Sequence, residues 1–197
     1  MCTIAKQRTT IAGLGAAAFL ALASAAITAE PVAEPKGYRT EEYRAPVPAT
    51  LKGATVVVTE EAEALWREKR AVFIDVLPSP PKPDLPKGTV WREKLHLDIP
   101  GSIWLADVGF GALPPEMEEW YRDSLEALSK GDTHHPLVIY CRADCWMSWN
   151  AAKRAVEWGY RDVAWYPHGI EGWEAAGLPL EERKPEPRPG LPTGGGG

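Results

Sequence analysis

The chain has 197 residues, room for one domain with tails, and carries 27 acidic against 22 basic side chains for a net charge of −5. That balance argues against a protein held nonspecifically on nucleic acid or on an anionic membrane. Hydrophobic content of 45% with 25% charged residues suits a globular chain, and the 19 prolines fall in connecting segments as rigid loops.

Residues 1–29 read as a secretory signal peptide. Lys6 and Arg8 form a basic start, Ile11 to Ala23 is an uncharged apolar run, and small residues around Ser24–Ala26 or Ile27–Ala29 precede a cut. The apolar run is too short to span a bilayer comfortably. Cys2 leaves with the leader, so the expected location is the periplasm, with no membrane attachment after cleavage. Two cysteines remain, Cys141 and Cys145.

Residues 30–53, rich in Pro, Ala and charge, read as an extended N-terminal arm. Ala54 to Val58 is β-branched and predicts a strand. Thr59 is placed to cap a helix with Glu60 and Glu61 in its first turn. Ala71 to Val76 predicts a buried strand, and the proline-rich stretch Leu77 to Gly88 an exposed loop. A turn at Ile99–Gly101 leads to a short strand, Ser102 to Leu105. Pro114 and Pro115 open a helix ending near Gly131. Pro136 to Tyr140 predicts a buried strand, Ser148 to Trp158 a helix stopped by Gly159, and Asp162 to Tyr166 a strand. A turn at His168–Gly169 precedes a short helix near Gly172 to Ala176, and residues 183–197 read as a disordered tail. Alternating strands and helices predict an α/β fold with a mostly parallel sheet and helices on both faces.

The strand ending at Tyr140 runs straight into Cys141-Arg142-Ala143-Asp144-Cys145-Trp146-Met147-Ser148. A loop joining a strand to a helix N-terminus points amide hydrogens inward, which stabilises a thiolate. The expectation is that Cys141 is the nucleophile or sulfur carrier and Cys145 its resolving partner. Arg142, Ala143, Asp144, Trp146, Met147 and Ser148 would form the anion cradle. Three readings of the pair stay open: a reactive dithiol, a structural disulfide, and a metal site of Cys141, Cys145 and His168. A bond inside so short a loop staples little chain. Asp75 reads as a structural acceptor that could also tune the site, as could His168; His134 and His135 read as solvated loop residues.

VIYC at 138–141, AAKRAVEWGY at 151–160, DVAWY at 162–166 and HGIEGWEAAGLPLE at 168–181 resemble the C-terminal half of a rhodanese domain. VTEEAEAL at 58–65, FIDV at 73–76 and IPGSIWL at 99–105 resemble its N-terminal half. The resemblance covers roughly 54–182 and implies a rhodanese-like sheet of about five parallel strands, with Cys141 in the persulfide-carrying position. Trp146 and Met147 stand where sulfurtransferases carry a late loop arginine, and Leu77 replaces an arginine after the Asp-Val strand. The loop length resembles that of dual-specificity phosphatases, but these need a closing arginine to hold phosphate and Met147 stands there, so phosphatase activity is not expected.

YRAPVPATLKGATVV at 43–57 and CRADCWMSWNAAKRA at 141–155 resemble, more narrowly, the PQQ-dependent catabolism-associated CXXCW motif proteins, although three residues separate the cysteines here. That resemblance implies an exported accessory protein of alcohol or methanol oxidation. Its expected partner is a quinoprotein alcohol dehydrogenase or a c-type cytochrome. No bound cofactor is expected, PQQ belonging to the associated dehydrogenase.

Overall fold

A computed structural model describes residues 31–79, 83–90 and 95–190. The proposed leader, at 1–29, lies outside them.

Five strands form one parallel sheet: β1 (Thr55–Val56), β2 (Val72–Asp75), β4 (Ile103–Trp104), β5 (Leu137–Tyr140) and β6 (Val163–Tyr166), in the order β1-β6-β5-β2-β4. The three central strands read VFID, LVIY and VAWY, near-continuous apolar runs suited to burial on both faces. Alternate side chains feed two separate cores. Ile74, Ile139 and Trp165 pack with Tyr121 and Leu125 of α2 (Pro115–Ser129) and Trp149 and Ala152 of α3 (Trp146–Glu157). Phe73, Val138, Tyr140 and Tyr166 pack on the other face with Ala62 of α1 (Thr59–Arg67) and Trp173 of α4 (Gly169–Ala175).

The helix ends follow local chemistry. Pro115 occupies the first turn of α2, and Lys130 closes it in the left-handed region (φ 56°), with the Gly131 N–H donating to the Glu126 carbonyl over 2.9 Å. Thr59 is not the cap of α1. Val58 takes that place, its N–H donating to Glu61 Oε2 over 3.0 Å, and the Thr59 hydroxyl bonds Tyr166 Oη instead. Helix α3 starts at Trp146, two residues earlier than the sequence suggests, because Cys145 is extended (φ −113°, ψ 109°) and the chain turns helical directly after it.

Two features depend on long-range partners. The short strands β3 (Leu97–Asp98) and β7 (Glu181–Glu182) form an antiparallel pair. Residues 183–190, expected to be disordered, continue from it along the molecule. The Arg183 N–H donates to His96 O and the Glu186 N–H to Trp104 O, both over 2.9 Å, while Arg188 pairs with Asp107 and donates to the Ser79 carbonyl. Since β4 is an edge strand, this segment covers an otherwise unpaired edge. Residues 191–197 lie outside the described residues.

The N-terminal arm, expected only as an extended segment, crosses α3 and is clamped to it. Asn150, fully buried, accepts the Arg39 N–H over 2.9 Å and donates to the Arg39 carbonyl (2.8 Å) and the Gly109 carbonyl (2.9 Å). The indoles of Trp146 and Trp149 donate to the Pro46 and Thr50 carbonyls. A side chain at Gly111 would begin 2.1 Å from the Arg39 carbonyl oxygen, so glycine is required for this approach. The buried Arg154 guanidinium donates to the Val108 and Gly111 carbonyls and lies 4.0 Å from the centroid of the Tyr38 ring.

Candidate functional site

All five strands run the same way, so Asp75, Tyr140 and Tyr166 end along one edge of the sheet. Ligands of open α/β sheets bind beyond that edge. There β5 delivers Cys141, the loop reverses through Asp144 (φ +50°, tolerated by an Asp), and α3 departs after Cys145. The two sulfurs lie 2.8 Å apart as free thiols. Gly169 is part of this arrangement. It has φ +53°, a Cβ there would lie 2.3 Å from the Cys141 carbonyl oxygen, and the Ile170 N–H donates to that same oxygen over 2.9 Å.

Loop amides act on both sulfurs. The amides of Met147, Arg142 and Ser148 favour a thiolate on Cys145, and that of Arg142 favours one on Cys141 as well. Hydrogen bonding from Cys141 and these amides outweighs burial and lowers the Cys145 thiol to about 7. Burial, followed by the neighbouring Cys145 and the Asp75 charge, pushes the Cys141 thiol well above its usual range. Cys141 sits at the strand end, and the first turn of α3 begins directly after Cys145. Of the other cradle residues, the Trp146 N–H is committed to the Tyr43 carbonyl and Asp144 lends its carbonyl to the Ala45 N–H. The Arg142 guanidinium turns outward to Glu171, at 3.8 Å. Ala143 is partly exposed on the loop.

The site is closed. Cys141 is 1% exposed and Cys145 4%. Arm residues 43–45 lie antiparallel to 144–146, with Arg44 bridged to Cys145, Ala45 N–H on Asp144 O (3.2 Å) and Trp146 N–H on Tyr43 O (2.9 Å). Arg44 adds an ion pair to Glu171 at 3.3 Å.

His168 is not brought to the sulfurs. Its Nδ1 faces Thr59 Oγ1 at 3.5 Å and its ring lies against Tyr166, so the metal reading lacks its third ligand. Among the described residues, the group with metal-ligand spacing is Asp75, His96 and Asp98. Asp75 accepts the Leu77 N–H (2.8 Å) and pairs with His96 Nε2 (2.7 Å). Asp98 accepts from the Ile99 N–H, the Ser102 hydroxyl and the Tyr140 hydroxyl. Burial opposes a charge on His96, but its bonds to Asp75 and Asp98 prevail and raise it to about 9, so it is an imidazolium at neutral pH. Burial pushes Asp75 up to about 6 despite that partner. With these partners the cluster is a closed ion network pinning β3 to the sheet, which supports the structural reading of Asp75. His96, Asp98, Asn150 and Arg154 gave no sequence signal of their roles. Only the spacing His96-Leu97-Asp98 before Ile99-Pro100-Gly101 hints at a polar pair on one strand face.

The Rhodanese-like domain family model matches residues 58–176, leaving the whole arm outside it. No curated protein matches the chain. Among solved structures, a thiosulfate sulfurtransferase from Pseudomonas aeruginosa is 19% identical with a TM-score of 0.45, over 71% of this chain and 22% of its own. An uncharacterized protein from Saccharomyces cerevisiae is 20% identical with a TM-score of 0.37, over 62% of this chain and 92% of its own.

Proposed function

Given that this chain belongs to the rhodanese-like domain family, which supports a sulfurtransferase-type or other thiol function, we propose that it is an exported thiol protein working by thiol–disulfide exchange at Cys141 and Cys145. The observation that carries this reading is the 2.8 Å contact between two free sulfurs at the carboxyl edge of the sheet. Sulfane-sulfur transfer is the second form of the same chemistry. It is disfavoured because a persulfide on either cysteine would face a thiol in contact with it. That thiol would expel hydrosulfide and close a disulfide.

The narrower role, as a periplasmic accessory of PQQ-dependent alcohol or methanol oxidation, rests on the resemblance at 43–57 and 141–155. In the fold those two stretches meet, Arg44 bridging Cys145. The partner would be a quinoprotein alcohol dehydrogenase or its c-type cytochrome. A non-catalytic module with a locked disulfide is the competing reading, favoured by the burial of both sulfurs.

Intact mass separates these. Reduced protein given a disulfide should lose two hydrogens, and a mild thiol should restore them. Given thiosulfate, it should not retain an added sulfur atom. A disulfide that resists thiols in the folded protein would establish the locked module instead. Co-purification of the dehydrogenase or cytochrome from periplasm tests the partner.

A further inference from the structure

Helix α3 and its loop hold the arm chiefly through the arm's own main chain. Asn150 accepts the Arg39 N–H and donates to the Arg39 carbonyl, and the indoles of Trp146 and Trp149 donate to the Pro46 and Thr50 carbonyls. Between these anchors the Ala45 N–H donates to the Asp144 carbonyl and the Trp146 N–H to the Tyr43 carbonyl. Contacts of this kind hold an extended segment whatever most of its side chains are. Resting on the thiol chemistry of the cysteine pair, we propose that this surface is the docking seat for an extended segment of a substrate protein. That segment displaces the arm and sets its own cysteine in the place of Arg44.

The register supports this occupant. Residues 43–47 alternate as a strand does: Tyr43, Ala45 and Val47 pack against the core around α3, while Arg44 and Pro46 are exposed. The two ladder bonds flank Arg44 and Cys145, which makes them a non-hydrogen-bonded antiparallel pair. In such pairs the Cα atoms approach to about 4.5 Å, within the span a disulfide bridges. Both side chains lie on one face of the ladder, so a cysteine in place of Arg44 brings its sulfur to Cys145. Arg44 itself is held by an exposed ion pair to Glu171, which keeps Arg142 as a neighbour when Arg44 leaves. Tyr43 adds a side-chain preference. Its hydroxyl accepts the Gly111 N–H over 3.0 Å and its ring meets Phe110 edge-on, so the seat favours an aromatic residue just before the substrate cysteine.

The exchange balances with a disulfide of the substrate protein as oxidant. Its S–S bond breaks as one half forms a mixed disulfide with the cysteine pair. The second thiol of the pair then closes the Cys141–Cys145 bond and releases that half. The two protons of the pair leave on the two substrate thiols, and the protein dithiol gives up two electrons to the substrate disulfide.

Synthetic peptides of residues 38–50 test this. Each carries one cysteine as its mixed disulfide with thionitrobenzoate, by Arg44→Cys or, as register controls, by Glu42→Cys or Ala45→Cys. Thionitrobenzoate release is followed with reduced wild-type protein and with Ala45→Pro protein, in which the resident arm loses one ladder bond and the seat is untouched. The Arg44→Cys peptide should react about tenfold or more faster than either control and than the glutathione mixed disulfide. The cysteine-free peptide should slow it, and Ala45→Pro should speed it. Equal rates in the three registers, or no competition by the cysteine-free peptide, would overturn the docking seat and leave the thiol reading intact. If Ala45→Pro does not fold, the order of rates in wild type decides alone. If the folded protein reacts with none of these disulfides, glutathione's included, while the protein in urea does, the thiol reading falls and the docking seat with it.

Discussion

Replacing Asn150 by Ala should open the cysteine site before it unfolds the protein. Asn150 makes three hydrogen bonds, two to the main chain of Arg39 and one to Gly109. The Arg39 groups regain water when the arm lifts, so each bond contributes about 1 kcal/mol to keeping the arm down. Losing both favours opening by about 2 kcal/mol, roughly a 30-fold increase in the open fraction. The Gly109 carbonyl stays buried and unpaired, adding about 1–2 kcal/mol to the global loss. Global stability should therefore drop by about 3–4 kcal/mol, read from urea unfolding. Native-state labelling by a small thiol reagent at neutral pH should rise by roughly the 30-fold of arm opening. If the urea midpoint falls as expected while labelling in native buffer keeps its wild-type rate, the arm does not control access to the sulfurs.

Three further outcomes are expected from the packing. The folded His96 pKa of about 9 lies above its unfolded value of about 6.5. Its contribution is thus complete below about pH 6.5 and disappears as pH rises through about 9. The urea midpoint should decline over that window, more steeply in wild type than in His96→Gln; parallel declines would show that His96 does not carry the effect. Gly169→Ala forces a left-handed alanine and a Cβ onto the Cys141 carbonyl, at 2.3 Å. A cost of about 2–4 kcal/mol is expected by thermal unfolding, together with altered cysteine labelling, since the loop must shift. Arg154→Lys cannot keep both the forked bonds to Val108 and Gly111 and the Tyr38 ring contact, so it should lose about 1–3 kcal/mol by urea unfolding. Wild-type stability in that variant would mean that charge alone suffices there.

The elements with a strong local signature were legible in the sequence. FID, LVIY and VAWY are apolar runs too short and too β-branched or aromatic for helices, and they became the three central strands. Pro114-Pro115 and Gly159 marked helix ends because their backbone constraints act on the spot. The cysteine loop was equally visible, since a buried strand ran into Cys141 and a helical pattern began a few residues later. Tertiary structure decided the rest. Nothing in Leu97-Asp98 or Glu181-Glu182 announces a strand, for each exists only through its partner about eighty residues away. The arm's fate depended on Asn150 and Gly111, distant residues whose hydrogen bonds and missing side chain leave no periodic trace. The cradle shows the limit most sharply. The sequence placed orphan amides beside two sulfurs four residues apart, but only the extended backbone of Cys145 and the helical start at Trp146 fixed where the helix N-terminus falls. Composition and periodicity report which groups are near one another along the chain; the direction of an N–H vector is fixed only by dihedral angles set in the packed fold.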